Sequence, residues 1–267
     1  MAGDLRPDSS DVSTSLARLA EREPRAGAIL EVLHDRGILH ARPLDDDLTT
    51  ADILLKILVK QRHALFDSRH IFWGVLERLV NPARVTQKVA RPFVTGKEVA
   101  ETCVSSAVVS MLIARLPADF VRMIDGLTSP NVGFEIRRAY PEPALYEARK
   151  RFLQSAFLFV EAGMQTLRIW VAPDATAAAR AADEHAARRH RTYDFTGERA
   201  NTRHLIDVLI QATLTNYVLQ GHYVAEADID TRTGAGGVPL PGDANTRFAL
   251  DALLQDFLSG SRVICLS

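Results

Sequence analysis

Cysteine is nearly absent from this 267-residue chain, which carries only Cys103 and Cys265. Two cysteines cannot build a disulfide framework or a four-cysteine zinc site, and they suit a reducing compartment. Charge of one sign is lacking too, because 32 Lys and Arg stand against 33 Asp and Glu, for a net charge of -1. Without an overall cationic field, nucleic acid and acidic lipid are not the expected partners. No uncharged apolar run reaches the roughly 18 residues of a membrane span, and the N-terminal residues hold no apolar signal core. The chain therefore reads as cytoplasmic, with no membrane partner. Lysine is scarce, five of the 32 basic residues, a bias that speaks to genome composition rather than to function. Internal repeats are missing, and no segment alternates with period two for long enough to define a strand.

What is present is helical periodicity. With 47% hydrophobic and 24% charged residues the chain can bury an ordinary core. Residues 1–12 are polar and aperiodic and read as a disordered tail, leaving 13–267 as a single all-α domain. A first helix is expected over 13–37, interrupted near Pro24 and ended by Gly37. Thr49 or Thr50 caps a long pattern that reaches Asn81, with a break near Asp67. Further helices are expected over 95–116, 118–127, 144–171, 175–191, 198–228 and 245–258, with turn chemistry at 128–134 and a glycine-rich loop at 231–242.

Eight histidines are the main chemical resource. His63 and His70 are seven residues apart on one expected helix, and His204 and His222 eighteen apart on another. Both spacings are whole numbers of turns at 3.6 residues each, so each pair would share a face. Two such helices would set imidazoles on either side of a planar cofactor such as haem. Zinc-hydrolase motifs are absent. The loop Arg232 to Pro239 brings Thr233, Gly234 and Gly236, whose open backbone and hydroxyl suit a small polar ligand. It lacks the lysine and the strand-loop-helix setting of a phosphate loop. Arg137 and Arg138 follow the 128–134 turn, and guanidinium is the usual bidentate partner of a carboxylate.

The order of these features resembles the tryptophan 2,3-dioxygenases. Ser129-Pro-Asn-Val-Gly-Phe134 resembles their Ser-Pro-x-Ser-Gly-Phe turn, Leu205-Ile-Asp-Val208 the Leu-Val-Asp-Val that begins their proximal haem helix, and Thr233-Gly-Ala-Gly-Gly237 their Gly-Thr-Gly-Gly substrate loop. The resemblance spans about 48–240 and implies an all-α bundle of the histidine-ligated haem-dependent aromatic oxygenase superfamily. The family's Trp-Arg-x-x-His is not reproduced: a gapless match puts Leu219 at the proximal position, with His222 one turn on and His204 as the competing ligand. Asp125 stands near the place of the arginine that holds substrate carboxylate, so that role would move to Arg122, Arg137 or Arg138. These departures make the chain more similar to the bacterial haem-dependent tyrosine hydroxylases of natural-product pathways than to true tryptophan dioxygenases. The resemblance thus implies haem b, an iron ligand in His222 or His204, and distal catalytic histidines in His63 and His70. It also implies a small aromatic amino acid as substrate, possession of a homo-oligomeric state being open.

Two other classes compete. Arg199-Ala-Asn-Thr-Arg-His204 has the Arg-x4-His spacing of helical bacterial ribonucleases. The stretch Arg188-Arg189-His190-Arg191 would serve a non-catalytic scaffold or regulator with an acidic partner, although such a stretch is usually a solvated surface.

Overall fold

The computed structural model describes residues 9–86, 102–154, 157–190, 203–226, 229–230 and 253–258. Among them the chain is mostly helical. Helix α1 (Ser9–Arg22) begins inside the stretch read as a polar tail and buries Val12. A 3-10 turn at Pro24–Ala26 separates it from α2 (Gly27–Asp35), and Gly37 ends that arm with φ of +72°. Helix α3 (Thr50–Val59) starts on a reciprocal capping box, Thr49 with Asp52. Burial works to raise the Asp52 carboxyl, but hydrogen bonds from Ser15 and Thr49 and the charge of Arg42 bring it below its ordinary value.

The long helix expected from Thr49 to Asn81 is two helices. Chain 60–67 leaves the helical path because Arg62 is buried 2.8 Å from Asp125 on another helix, while His63 N–H donates to the Thr128 carbonyl. Asp67 then caps α4 (Ser68–Val80) by accepting from His70 N–H. Helices α5 (Cys103–Arg115) and α6 (Pro117–Leu127) follow, Pro117 opening the second as a first-turn proline can.

The all-α expectation is corrected by a small antiparallel sheet. Strand β1 (Phe134–Ala139) pairs with β3 (Thr166–Val171), which pairs with β2 (Phe159–Glu161), giving the order β1-β3-β2. Helix α7 (Pro143–Leu153) therefore covers only the start of the helix expected over 144–171. The strands do alternate: Phe134 and Ile136 are buried on one side of β1, and Leu167, Ile169 and Val171 on the same side of β3. Each alternation lasts six residues and includes arginine on the core-facing or solvent face, too short a signal to stand out from helical spacing. Gly163 and Gln165, both at positive φ, turn β2 into β3.

Helix α8 (Ala177–His190) packs on α9 (Leu205–Val218), which also touches α4, α5 and α6. Every residue of α9 from Leu205 to Leu214 is buried, so this helix is the centre of the fold. It is shorter than the 198–228 expected, ending where Gln220 and Gly221 take positive φ. A two-stranded ribbon, β4 (Tyr223–Val224) with β5 (Ile229–Asp230), follows, and residues 253–257 are helical.

Candidate functional site

The helix boundaries rearrange the expected histidine pairs. His63 lies in the 60–67 linker and His70 in the first turn of α4, so the two do not share a helix face. His204 is the N-cap of α9, while His222 is exposed beyond the end of that helix. What the fold brings together instead is one member of each pair. His70 and His204 both line a cleft of about 480 Å³, with Ile29, Trp73, Gly74 and Glu77. This cleft is walled by α4 and the head of α9.

A third imidazole joins them. The His185 ring, from α8, lies 5.0 Å from that of His70 and 6.1 Å from that of His204. His70 and His185 also line a second cavity of about 280 Å³, with Phe66, Asp67 and Leu205. Sequence reasoning missed His185 because it sits in an Ala- and Arg-rich segment read as an exposed helix. No local signal marks it, and only the packing of α8 on α9 places it.

The ring nitrogens differ in what holds them. His70 Nδ1 is 3.3 Å from Asp67 Oδ1, the carboxylate arrangement that presents Nε2 as a ligand or base. His204 Nδ1 accepts from Ile206 N–H at 3.3 Å, and His63 Nδ1 from Leu65 N–H at 3.3 Å. In the neutral ring that places the proton on Nε2, making His204 a donor rather than a metal ligand. Haem asks the protein for an imidazole whose other nitrogen is held by an acceptor, beside an apolar slot. His70, with Asp67 behind it and Trp73 one turn away, fits that requirement; His204 and His63 do not as they are bonded.

The seat of His204 is built from buried charge. Arg78 grips Asp207 through Nε at 2.7 Å and Nη2 at 2.6 Å, and both side chains are buried. Thr86 donates to the same carboxylate from its backbone N–H and its hydroxyl, and its Oγ1 accepts from His204 N–H at 2.9 Å. Gly74 completes the seat, since a Cβ there would fall 2.3 Å from His204 Cε1. Gly74→Ala is expected to push the imidazole out of the cleft wall while leaving α4 helical. A His204 ring resonance that keeps its chemical shift in the variant would refute this close fit.

The expected substrate arginines lie elsewhere. Arg122 and Arg137 line a polar cleft of about 580 Å³ with Arg42, Asp46, Glu135 and Arg168. Arg122 donates to the Glu135 carbonyl at 2.7 Å, and buried Arg138 is paired with Asp45 at 2.6 Å. Neither of the two histidine-lined cavities includes these three arginines. Asp125, at the place of the family's arginine, is engaged by Lys56 at 2.7 Å and Arg62 at 2.8 Å. The guanidinium in the histidine cleft is Arg84, bonded to Glu77 at 3.2 Å. Thr233, Gly234, Gly236 and Arg199 lie outside the described residues, as do the side chains of the 188–191 basic stretch.

No known family matches the chain, and no curated protein or solved structure is significantly similar to it. No helix among the described residues is long and apolar enough to cross a membrane.

Proposed function

We propose that the protein is a haem-dependent oxygenase of a small aromatic amino acid, hydroxylating the ring of tyrosine or a tyrosine derivative, and that it works in the α4 and α9 cleft. The observation that carries this reading is the Asp67-supported imidazole of His70 facing the same apolar cleft as His204. The iron ligand is then His70, in place of the His222 or His204 implied by resemblance. Haem, when bound, supplies activation of the oxidant. Asp67 Oδ1, 3.3 Å from His70 Nδ1 at the half-exposed rim of the cleft, would be the acceptor for an Nδ1 proton and leave Nε2 for the iron. Trp73 and Ile29 offer apolar surface to an aromatic ring. His204 offers a proton from Nε2, and Arg84 replaces Arg122, Arg137 and Arg138 as the carboxylate partner.

Protein produced with haem supply is expected to show a Soret band, lost in His70→Ala and kept in His63→Ala and His222→Ala. L-tyrosine is expected to shift the band in the parent protein and not in Arg84→Ala. A parent protein with no Soret band refutes the haem reading; a band that survives His70→Ala refutes the ligand assignment alone.

A further inference from the structure

Arg122 and Arg137, which the histidine cleft leaves out, have a setting of their own. On the solvent face of the sheet, Arg137 of β1 stands directly opposite Arg168 of β3. Tyr140 N–H donates to the Gln165 carbonyl at 2.8 Å, so the even-numbered residues of β1 make the hydrogen-bonded pairs of this ladder. Arg137 with Arg168 is therefore a non-hydrogen-bonded pair, the kind that brings side chains closest, and like charges directly opposite are destabilising. Glu135 offsets part of this from the diagonal position, its carboxylate 3.3 Å from Arg168 Nε. The other charges nearby are engaged among themselves. Arg122 Nε lies 3.7 Å from Asp46, and buried Arg138 is paired with Asp45 at 2.6 Å. Asp119, buried next to them, accepts from Leu44 N–H at 3.1 Å, and burial raises its carboxyl toward the neutral form. Arg137 and Arg42, which line the same cleft of about 580 Å³, have no side-chain ion pair or hydrogen bond with a described residue. Arg42 acts on Asp52 only as a charge at longer range. Among the described residues, Asp47 is the one lining carboxylate without such a partner.

We propose that this cleft is an anion site, separate from the histidine cleft, that takes the phosphate of a small phosphate monoester. The sign follows from the pairing: with the internal ion pairs set aside, the guanidiniums of Arg42 and Arg137 face Asp47 alone. Phosphate rather than carboxylate follows from direction. One bidentate guanidinium fills the two oxygens of a carboxylate, whereas a phosphate monoester offers three acceptor oxygens and close to two charges at neutral pH. Arg137 comes from β1, Arg168 from β3 and Arg42 from the chain ahead of α3, so three elements present guanidinium to one cleft. An oxyanion held between Arg137 and Arg168 turns the repulsion of that pair into a joint attraction. The cleft is larger than a phosphate, which leaves space for a small organic portion. Asp47 can only accept, so that portion carries a hydroxyl or ammonium donor. The two clefts share no lining residue.

Glycerol phosphate, a monoester with hydroxyl donors, is the probe. Isothermal titration calorimetry of the full chain at fixed ionic strength is expected to show saturable binding. Arg137→Gln and Arg42→Gln are each expected to weaken it at least about tenfold, the scale of one lost charge-assisted hydrogen bond. Arg25→Gln, which removes an exposed arginine outside the cleft, is expected to leave the affinity unchanged. Malonate, a dicarboxylate of similar charge, is expected to bind at least about tenfold more weakly, since neither carboxylate can collect several guanidiniums. Folding is read separately. In ligand-free buffer Arg137→Gln is expected to keep or raise the thermal midpoint, because it removes one of two like charges set opposite each other. No binding by the parent chain, an equal loss in Arg25→Gln, or malonate bound as tightly as the phosphate ester overturns the inference. A midpoint lowered in ligand-free Arg137→Gln would make that arginine structural and overturn it as well, and none of these results bears on haem.

Discussion

Asp207→Ala is expected to destabilise the protein by about 3–5 kcal/mol, the usual loss when one partner of a buried ion pair is removed. Arg78 would keep its charge at 1% exposure with the Gly74 carbonyl as its remaining buried acceptor. Thr86 would lose the acceptor for both its N–H and its hydroxyl, and with it the fixed position that receives His204 N–H. Replacing both charges, Arg78→Met with Asp207→Leu, is expected to cost much less than the sum of the two single changes, because no uncompensated ion remains. Chemical denaturation of the four proteins of this cycle measures the coupling. A single-variant loss below about 1 kcal/mol, the scale of an exposed pair, would show that water reaches the pair.

The second large effect is expected at Asp256. Its carboxylate accepts from Tyr140 Oη at 2.7 Å and Tyr217 Oη at 2.6 Å, with Arg149 Nε at 3.6 Å, all in the interior. Alanine there removes the acceptor of two buried hydroxyls and the nearest counter-charge of a buried guanidinium, for a loss of about 3–5 kcal/mol. It also removes the side-chain tie of the 253–257 helix to Tyr217 of α9 and to Tyr140 just after β1, while Arg138 keeps its bond to the Asp256 backbone carbonyl. Burial holds the Asp256 carboxyl above its ordinary value, against the opposing pull of Arg149 and the two tyrosine hydroxyls. Burial and the neighbouring carboxylate likewise raise Tyr140 and Tyr217.

The sign of the pH effect follows from the raised value. The folded state binds the Asp256 proton more tightly than the unfolded state, so this group's favourable contribution is complete below about pH 3.9 and is lost as pH rises through the folded value. Asp256→Asn keeps one acceptor and does not titrate. The parent's stability relative to this variant is therefore expected to fall as pH rises from about 4 through the raised value. Urea midpoints of the two proteins across that range measure it, and a difference that grows with pH would contradict the raised carboxyl.

Much of the helical content was legible because it is local. The Thr49 cap, the Pro24 interruption, and Gly37 and Pro117 as stops each act within a turn of their own position. The break at 60–67 was legible only as a place, near Asp67; its length depends on Arg62 reaching Asp125 across the fold. The sheet was hidden because β1 and β3 each offer six alternating residues, and their pairing joins segments separated by α7. Of the site, His70 and His204 were singled out by a spacing that the helix boundaries invalidate, and they nevertheless meet in one cleft. His185, Gly74 and Thr86 carry no sequence signal for their roles, which exist only through contact with His204.

By itself the sequence determined the mostly helical character, the lack of a membrane-spanning pattern and the stock of imidazoles and arginines from which a site can be made. Tertiary structure decided which of them share a cavity. Helical periodicity reports which face of a segment is apolar, an interaction within a few turns, whereas a cleft is formed by side chains far apart in the chain. Two buried ion pairs made that choice: Arg62 with Asp125 draws His63 away from His70, and Arg78 with Asp207 anchors α9 so that His204 meets α4.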